Sequence, residues 1–198
     1  MTDLFNSPVL LVDQPKRFFV DQSEYHVFNG QGQRVAHVHE INLSAGMQVL
    51  RFMAESTTGF RRQLAVNDAY GRPLFLIDKS WELFTATTSI SVPNGPVIGY
   101  IDQDFKLLKS SFRLLDGYKR LVGTISGDFW GWDFALSDAN GLEVARVNKQ
   151  YAGLTAEVFT AADRYALHMR YGNLPEPLRT LVIASGVTID LVLQEGKR

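Results

Sequence analysis

The stretch from Leu178 to Leu193 (LRTLVIASGVTIDLVL) constrains the fold more than any other part of the chain. Pro175 and Pro177 precede it, in positions that suit the first turn of a helix, where a missing N–H costs little. Gly196 follows, where helices commonly stop. Set out at about 100° per residue, the large apolar side chains do not keep to one face. Leu178, Ile189 and Leu193 fall on one side, Val187 and Leu191 on the opposite side, and Leu181 and Val192 between. A helix that is apolar nearly all round is either wrapped by its own protein or placed in a membrane.

A membrane span needs roughly 20 consecutive apolar residues. Arg179 and Asp190 leave only Thr180 to Ile189 uncharged between them. A helix from about 175 to 193 has a length of about 28 Å at 1.5 Å per residue, close to the depth of a small barrel. The reading is a core helix wrapped by the rest of the chain, with membrane insertion as the alternative.

What does the wrapping is a series of short strand signals. Tyr25 to Phe28, Arg34 to Glu40, Arg61 to Val66, Pro73 to Asp78, Val97 to Ile101 and Leu142 to Val147 are typical. Phe18 to Val20, Met47 to Ala54 and Glu157 to Thr160 read the same way. They make about a dozen strands at the spacing of an antiparallel barrel or sandwich, with no Pro/Gly/Ser linker to divide them. Hydrophobic residues are 45% of the chain, enough for one large core. The expectation is a single domain over 1–198, with a barrel over about 17–170 and a central helix over about 175–193.

A repeat runs through the strands. Phe28-Asn29-Gly30-Gln31-Gly32-Gln33-Arg34-Val35, Val66-Asn67-Asp68-Ala69-Tyr70-Gly71-Arg72-Pro73-Leu74 and Leu136-Ser137-Asp138-Ala139-Asn140-Gly141-Leu142-Glu143-Val144 share one form: strand, polar turn ending in Gly, strand. Leu114-Leu115-Asp116-Gly117 is a shorter relative. Gly supplies the positive φ such hairpins need. A barrel of hairpins closes its own edges, and the apolar helix fills a lumen too wide for side chains alone.

These hairpins, with Ile98-Gly99-Tyr100-Ile101, Ala161-Ala162-Asp163-Arg164-Tyr165-Ala166-Leu167-His168 and the terminal Ile189-Asp190-Leu191, resemble the phospholipid scramblase and LURP-one-related group. That group is akin to the tubby C-terminal domain. The similarity runs from about Phe18 to Leu193. It implies a mainly β fold, about twelve antiparallel strands closed around a buried hydrophobic C-terminal helix.

The same resemblance sets limits on function. Animal scramblases carry a cysteine-rich palmitoylated segment; its match around Ser80-Trp81-Glu82 is short, and the chain has no cysteine. Their acidic calcium loop matches Asp163 to Glu176, which offers only those two end carboxylates beside two arginines. Calcium prefers six to eight oxygen ligands, so calcium is not carried over and no cofactor is expected. The whole-chain charge of −1 gives no sign of a nucleic-acid partner. No secretion signal is read at the N-terminus, so a cytoplasmic protein is the default.

Three stretches offer site residues. Asp104 to Arg120 carries five basic residues against two acids, with Phe105, Leu107, Leu108 and Phe112 between them. Lys106, Lys109, Arg113, Lys119 and Arg120 are the candidates for anionic phospholipid headgroups, each basic group contributing about 1 kcal/mol near a charged leaflet. The segment fits an amphipathic helix in part, but a strand pair with solvated lysines is preferred. Gly127 to Phe134 is the densest aromatic run, and Trp130 and Trp132 are its contact candidates. His37 and His39 share a strand face, yet a single strand supplies too few metal ligands and no third is identifiable, so no metal site is expected. Arg61-Arg62 reads as a solvated basic pair.

No G-x-S-x-G, phosphate-binding Gly loop, H-E-x-x-H or intact calcium loop is present, so no enzyme is indicated. The expectation is a scramblase-like, non-enzymatic lipid- or membrane-surface-associated binding or scaffolding module, peripheral at the cytoplasmic membrane face. Phospholipid scrambling between leaflets and a small-ligand-binding barrel are the alternatives.

Overall fold

Apolar residues alternating with polar ones turn twelve short segments into strands, and neighbouring strands pair antiparallel. The computed structural model describes residues 3–14, 24–41, 61–80, 87–106, 109–128, 131–149 and 163–195. In chain order these are a short helix α1 (Asp3–Asn6), then β1 (Val9–Gln14), β2 (Glu24–Asn29), β3 (Arg34–Glu40), β4 (Arg62–Asp68), β5 (Pro73–Lys79), β6 (Thr87–Ser91), β7 (Val97–Lys106) and β8 (Lys109–Asp116). They continue with β9 (Leu121–Asp128), β10 (Asp133–Asp138), β11 (Glu143–Asn148), β12 (Asp163–Met169) and a terminal helix α2 (Leu178–Glu195). Each strand pairs with its sequence neighbours, and β1 pairs with β12 to close the barrel.

Two boundaries differ from the sequence reading. The barrel begins at Val9 rather than near residue 17: Leu10 and Val12 point into the core, and Val9 sits opposite His168. This run is short and bracketed by Pro8 and Pro15, and its partner lies far along the chain, so its burial has no local signature. The helix begins at Leu178, and the two prolines lie just before it. Their carbonyls accept the N–H groups of Arg179 and Leu181, both at 3.1 Å, while Glu176 Oε2 accepts from Thr180 N at 3.2 Å and Thr180 Oγ1 at 2.8 Å. Three of the free N–H groups of the first turn, those of Arg179, Thr180 and Leu181, are met in this way. Phe18 to Val20, Met47 to Ala54 and Glu157 to Thr160 lie outside the described residues.

The helix is the core. Every residue from Thr180 to Leu191 is buried, as an all-round apolar surface requires. Leu178, Leu181, Val182, Ile183, Val187, Ile189 and Leu191 pack against inward side chains such as Val27, Phe75, Ile101, Phe134 and Leu167. The wall gives way where it comes closest. A Cβ on Gly99 would stand 2.3 Å from the Leu115 carbonyl and 3.0 Å from Leu181 Cδ1, and one on Gly123 3.1 Å from Leu178 Cδ1. The hydroxyl of Ser185 donates back to the Leu181 carbonyl at 2.7 Å, so it needs nothing from the wall. The gap left between α1, the wall and Ile183 is about 10 Å³, at most the room one water needs. Among the described residues no helix is long and apolar enough to cross a membrane.

Candidate functional site

An up-and-down barrel has two ends, and this one's differ. The hairpins β2–β3, β4–β5, β6–β7, β8–β9 and β10–β11 all turn at the same end. We call this end the crown. The turn into α2 lies there too, as does α1 at the start of β1.

Four of the crown hairpins are built alike. Asn29, Asp68, Asp116 and Asp138 each donate their own N–H to the carbonyl four residues on at 2.9 Å. Their carbonyls accept from Gly32, Gly71, Lys119 and Gly141 at 2.9–3.0 Å. The side-chain Oδ1 then accepts the N–H groups two and four residues ahead, at 2.9–3.0 Å in every copy. This is a type I turn followed by a left-handed residue and a bulge. Gly32, Gly71 and Gly141 take φ of 76°, 83° and 85°, and Lys119 takes the same position at 62°.

Two of the four carry more. In Asp68-Ala69-Tyr70-Gly71-Arg72 and Asp116-Gly117-Tyr118-Lys119-Arg120 the second carboxylate oxygen accepts from the arginine Nε at 2.6 and 2.7 Å. Each guanidinium lies over the tyrosine of its own turn, 5.5 Å for Arg72 on Tyr70 and 5.3 Å for Arg120 on Tyr118, within cation–π range. The carboxylates are tucked in, with 2% and 9% of their side chains exposed, while the arginines are 69% and 74% exposed. Positive charge therefore faces outward although each pair is neutral. The backbone N–H and guanidinium of Arg120 and the N–H of Tyr118 hold the Asp116 carboxyl below its ordinary range against the pull of burial. For Asp68 burial is the largest influence and pushes upward, but the same set of donors from Arg72 and Tyr70 outweighs it.

The crown also collects apolar surface. Every large apolar side chain that is exposed among the described residues, Tyr70, Val92, Val97, Tyr118, Leu121, Leu142 and Tyr171, lies on or beside a crown turn. Between the β10–β11 turn, the start of β9 and the lead into α2 runs a groove of about 460 Å³ lined by Leu121, Leu142, Tyr171, Asn173, Pro175 and Glu176 among others.

The basic stretch from Lys106 to Arg120 is a strand hairpin, not a helix, and it does not form one cluster. Lys106 is paired with Lys109 at the β7–β8 turn, the end opposite the crown. Arg113 projects outward midway along β8, its guanidinium 3.8 Å from Asp102. Lys119 and Arg120 belong to the crown, and Lys119 Nζ stands 4.8 Å from the centre of the Tyr100 ring. At about 3.4 Å per residue the eight residues of β8 separate the two groups by about 24 Å.

Trp130 lies outside the described residues. Trp132 is buried, 5% exposed, in a left-handed turn with φ 51° before β10 begins, rather than in the strand as expected. Its ring meets Phe134 edge-on at 6.3 Å and Tyr165 at 5.4 Å, with Lys149 Nζ 4.4 Å above it. This is packing between wall elements. Arg61 is engaged with Asp78, donating from Nε at 2.9 Å. His37 and His39 share a face as their spacing requires, with rings stacked at 5.2 Å and 18°. The register adds two residues that the linear reading missed, since His26 lies opposite His37 and Glu24 opposite His39. Of the two carboxylates in the segment matched to a calcium loop, Glu176 is the cap of α2, and the side chain of Asp163 lies outside the described residues.

The crown, the closed barrel and the threaded helix are joined by a match to the family model described as Scramblase over residues 17–195. The chain belongs to the Scramblase family. Phospholipid scramblase family member 5 of Homo sapiens is 24% identical over 161 residues, 70% of this chain and 59% of that one. Altered inheritance rate of mitochondria protein 25 of Saccharomyces cerevisiae is 20% identical over 196 residues, 84% of this chain and 59% of its own length. The chain thus spans about three-fifths of each of these relatives. Among solved structures, a protein from Arabidopsis thaliana with a tubby-like fold aligns over 98% of this chain and 95% of its own, with a TM-score of 0.54 and 8% identity. At that identity the likeness is one of fold.

Proposed function

We propose that this Scramblase-family barrel is a non-enzymatic module that docks peripherally on an anionic phospholipid surface, crown first, from the cytoplasmic side. The observation that carries the reading is the gathering, among the described residues, of the exposed large apolar side chains at one end, beside the outward arginines of the two Asp-x-Tyr-x-Arg turns. Tyrosine and tryptophan favour the membrane–water boundary. Basic groups add attraction to an anionic leaflet that falls off within a Debye length. Family membership supports a phospholipid as the ligand class. Lys119 and Arg120, from the basic segment, belong to this surface; Lys106 and Lys109 would face away.

Flotation of the purified protein with neutral and anionic vesicles, at low and high salt, tests this. The expected result is salt-sensitive binding to anionic vesicles alone. Binding is expected to fall in a Tyr70→Ser, Tyr118→Ser, Arg72→Gln, Arg120→Gln variant and to persist in Lys106→Gln, Lys109→Gln, Arg113→Gln. Loss in the second variant alone would transfer the contact to the other end of the barrel. No flotation of the unaltered protein would overturn lipid docking. The name of the human relative supports a second reading, transfer of phospholipid between leaflets. Reconstituted protein that leaves a headgroup-labelled lipid protected in the inner leaflet would exclude it.

A further inference from the structure

Outside the crown, the outer face of β2 and β3 brings three metal-binding groups to one point. Tyr25 and Val27 point inward from β2 and Val38 from β3, so Glu24, His26, His37 and His39 stand on the outside. His26 and His37 are direct cross-strand partners, their ring centres 5.4 Å apart. Glu24 Oε1 lies 2.9 Å from His37 Nε2 and 3.4 Å from His26 Nε2. All three ligand atoms fall within 4.8 Å of one another.

We propose that Glu24 Oε1, His26 Nε2 and His37 Nε2 form a binding site for a divalent transition-metal ion, zinc foremost, with one position left open to solvent. Metal–ligand bonds of about 2.0–2.2 Å in a tetrahedron place neighbouring ligand atoms about 3.3–3.5 Å apart. The carboxylate is already at that distance from His26 and needs only a few tenths of an ångström from His37. The two imidazoles are held across a strand register rather than on a loop, so little ordering remains to be done on binding. Two imidazoles and one carboxylate select zinc and its neighbours over calcium and magnesium, which take oxygen ligands. The side chains are 18%, 29% and 33% exposed for Glu24, His26 and His37, shielded enough to limit competition from water yet open to an incoming ion. His39, stacked on His37, fixes that ring's plane without joining the ligand set. The open fourth position would carry a water or a donor from a bound partner.

The test uses untagged protein stripped with a chelator and titrated with zinc by calorimetry and with cobalt by visible absorbance. The expected result is about one equivalent of zinc and an intense d–d band of the kind a four-coordinate site gives. His26→Gln, His37→Gln and Glu24→Gln are expected to weaken zinc binding by about tenfold or more each. His168→Gln, on β12 and outside the cluster, is expected to leave it unchanged. Far-UV circular dichroism confirms that each variant is folded, which these outward positions allow. Absence of stoichiometric zinc binding would overturn the proposal. So would equal loss in His168→Gln, unchanged binding in a His26→Gln, His37→Gln double variant, or calcium binding as tightly as zinc.

Discussion

Tyr25 Oη, from the wall strand β2, donates to Asp190 Oδ2 of the central helix at 3.1 Å, with both side chains buried. A carboxylate in the middle of an apolar core is costly unless it is hydrogen-bonded. This bond also reads the rotation and height of the helix, because only one setting of α2 brings Asp190 under Tyr25. Tyr25→Phe is therefore expected to lower stability by about 1–3 kcal/mol, the cost of leaving a buried acceptor short of its donor. Asp190→Asn, which can still accept from the phenol, is expected to cost less. Urea unfolding of the two variants beside the parent decides the order, and a neutral Tyr25→Phe would show that the bond contributes nothing.

Tyr165 lies wholly inside the barrel. Burial, with Asp190 and Tyr25 nearby, pushes its phenol well above the ordinary value. The unfolded chain therefore ionises first as pH rises, and the stability tied to the neutral phenol is complete below about pH 10 and lost above it. The midpoint of thermal unfolding should fall steeply between about pH 9.5 and 11, and Tyr165→Phe should flatten that limb. An unchanged alkaline limb in Tyr165→Phe would assign it to other groups.

Asn29 occupies, in the first hairpin, the place that Asp116 occupies in the fourth, with the same N–H partners. An amide oxygen thus suffices for the turn. Asp116→Asn is expected to fold with a melting temperature within a few degrees of the parent, whereas Asp116→Ala, which strands two N–H groups, is expected to fall further. Because the Asp116 carboxyl is held below its ordinary range, the stability it supplies is present above about pH 4 and is lost as pH falls through its folded value. The asparagine variant should lack that part of the acid dependence, as a melting series from pH 7 to pH 3 would show.

Ile183, 7% exposed on α2, distinguishes a core helix from one that leaves the barrel. Ile183→Lys places an ammonium among Leu4, Val27 and Val187, which line one apolar gap with Ile183, and a buried unpaired charge costs several kcal/mol. The expected outcome is loss of folded, soluble protein. A soluble, cooperatively melting Ile183→Lys protein would show that the helix is not held inside.

The helix and the hairpins were legible because their signals are local. An all-round apolar stretch admits few environments, and an Asx residue three places before Gly marks a tight turn wherever it occurs. Long-range pairings were not legible. β1 has only a few apolar residues and closes on a strand more than a hundred residues away, so its place in the wall appears only when the barrel is assembled. The basic segment shows the opposite failure. Lys109 and Arg120 are close in sequence, but an extended strand carries neighbours apart, and what reads as one charge cluster is divided between the ends. Glu24 and His37 lie on different strands and meet only through the β2–β3 register, which no spacing along one strand reveals.

The closing of β1 on β12, with α2 threaded behind them, has a consequence for how the chain is made. While it emerges from the ribosome, its opening strand has no partner on one side until β12 appears, and every inward side chain faces an unfilled lumen until α2 follows. The contacts that complete the wall and those that fill it are both among the last to become available. Nascent chains stopped anywhere earlier should therefore present an open sheet edge and an apolar inner face together, the two surfaces that chaperones and aggregates recognise. Folding of this barrel thus waits for β12 and α2, and its yield in a cell depends on what guards the strands during the wait.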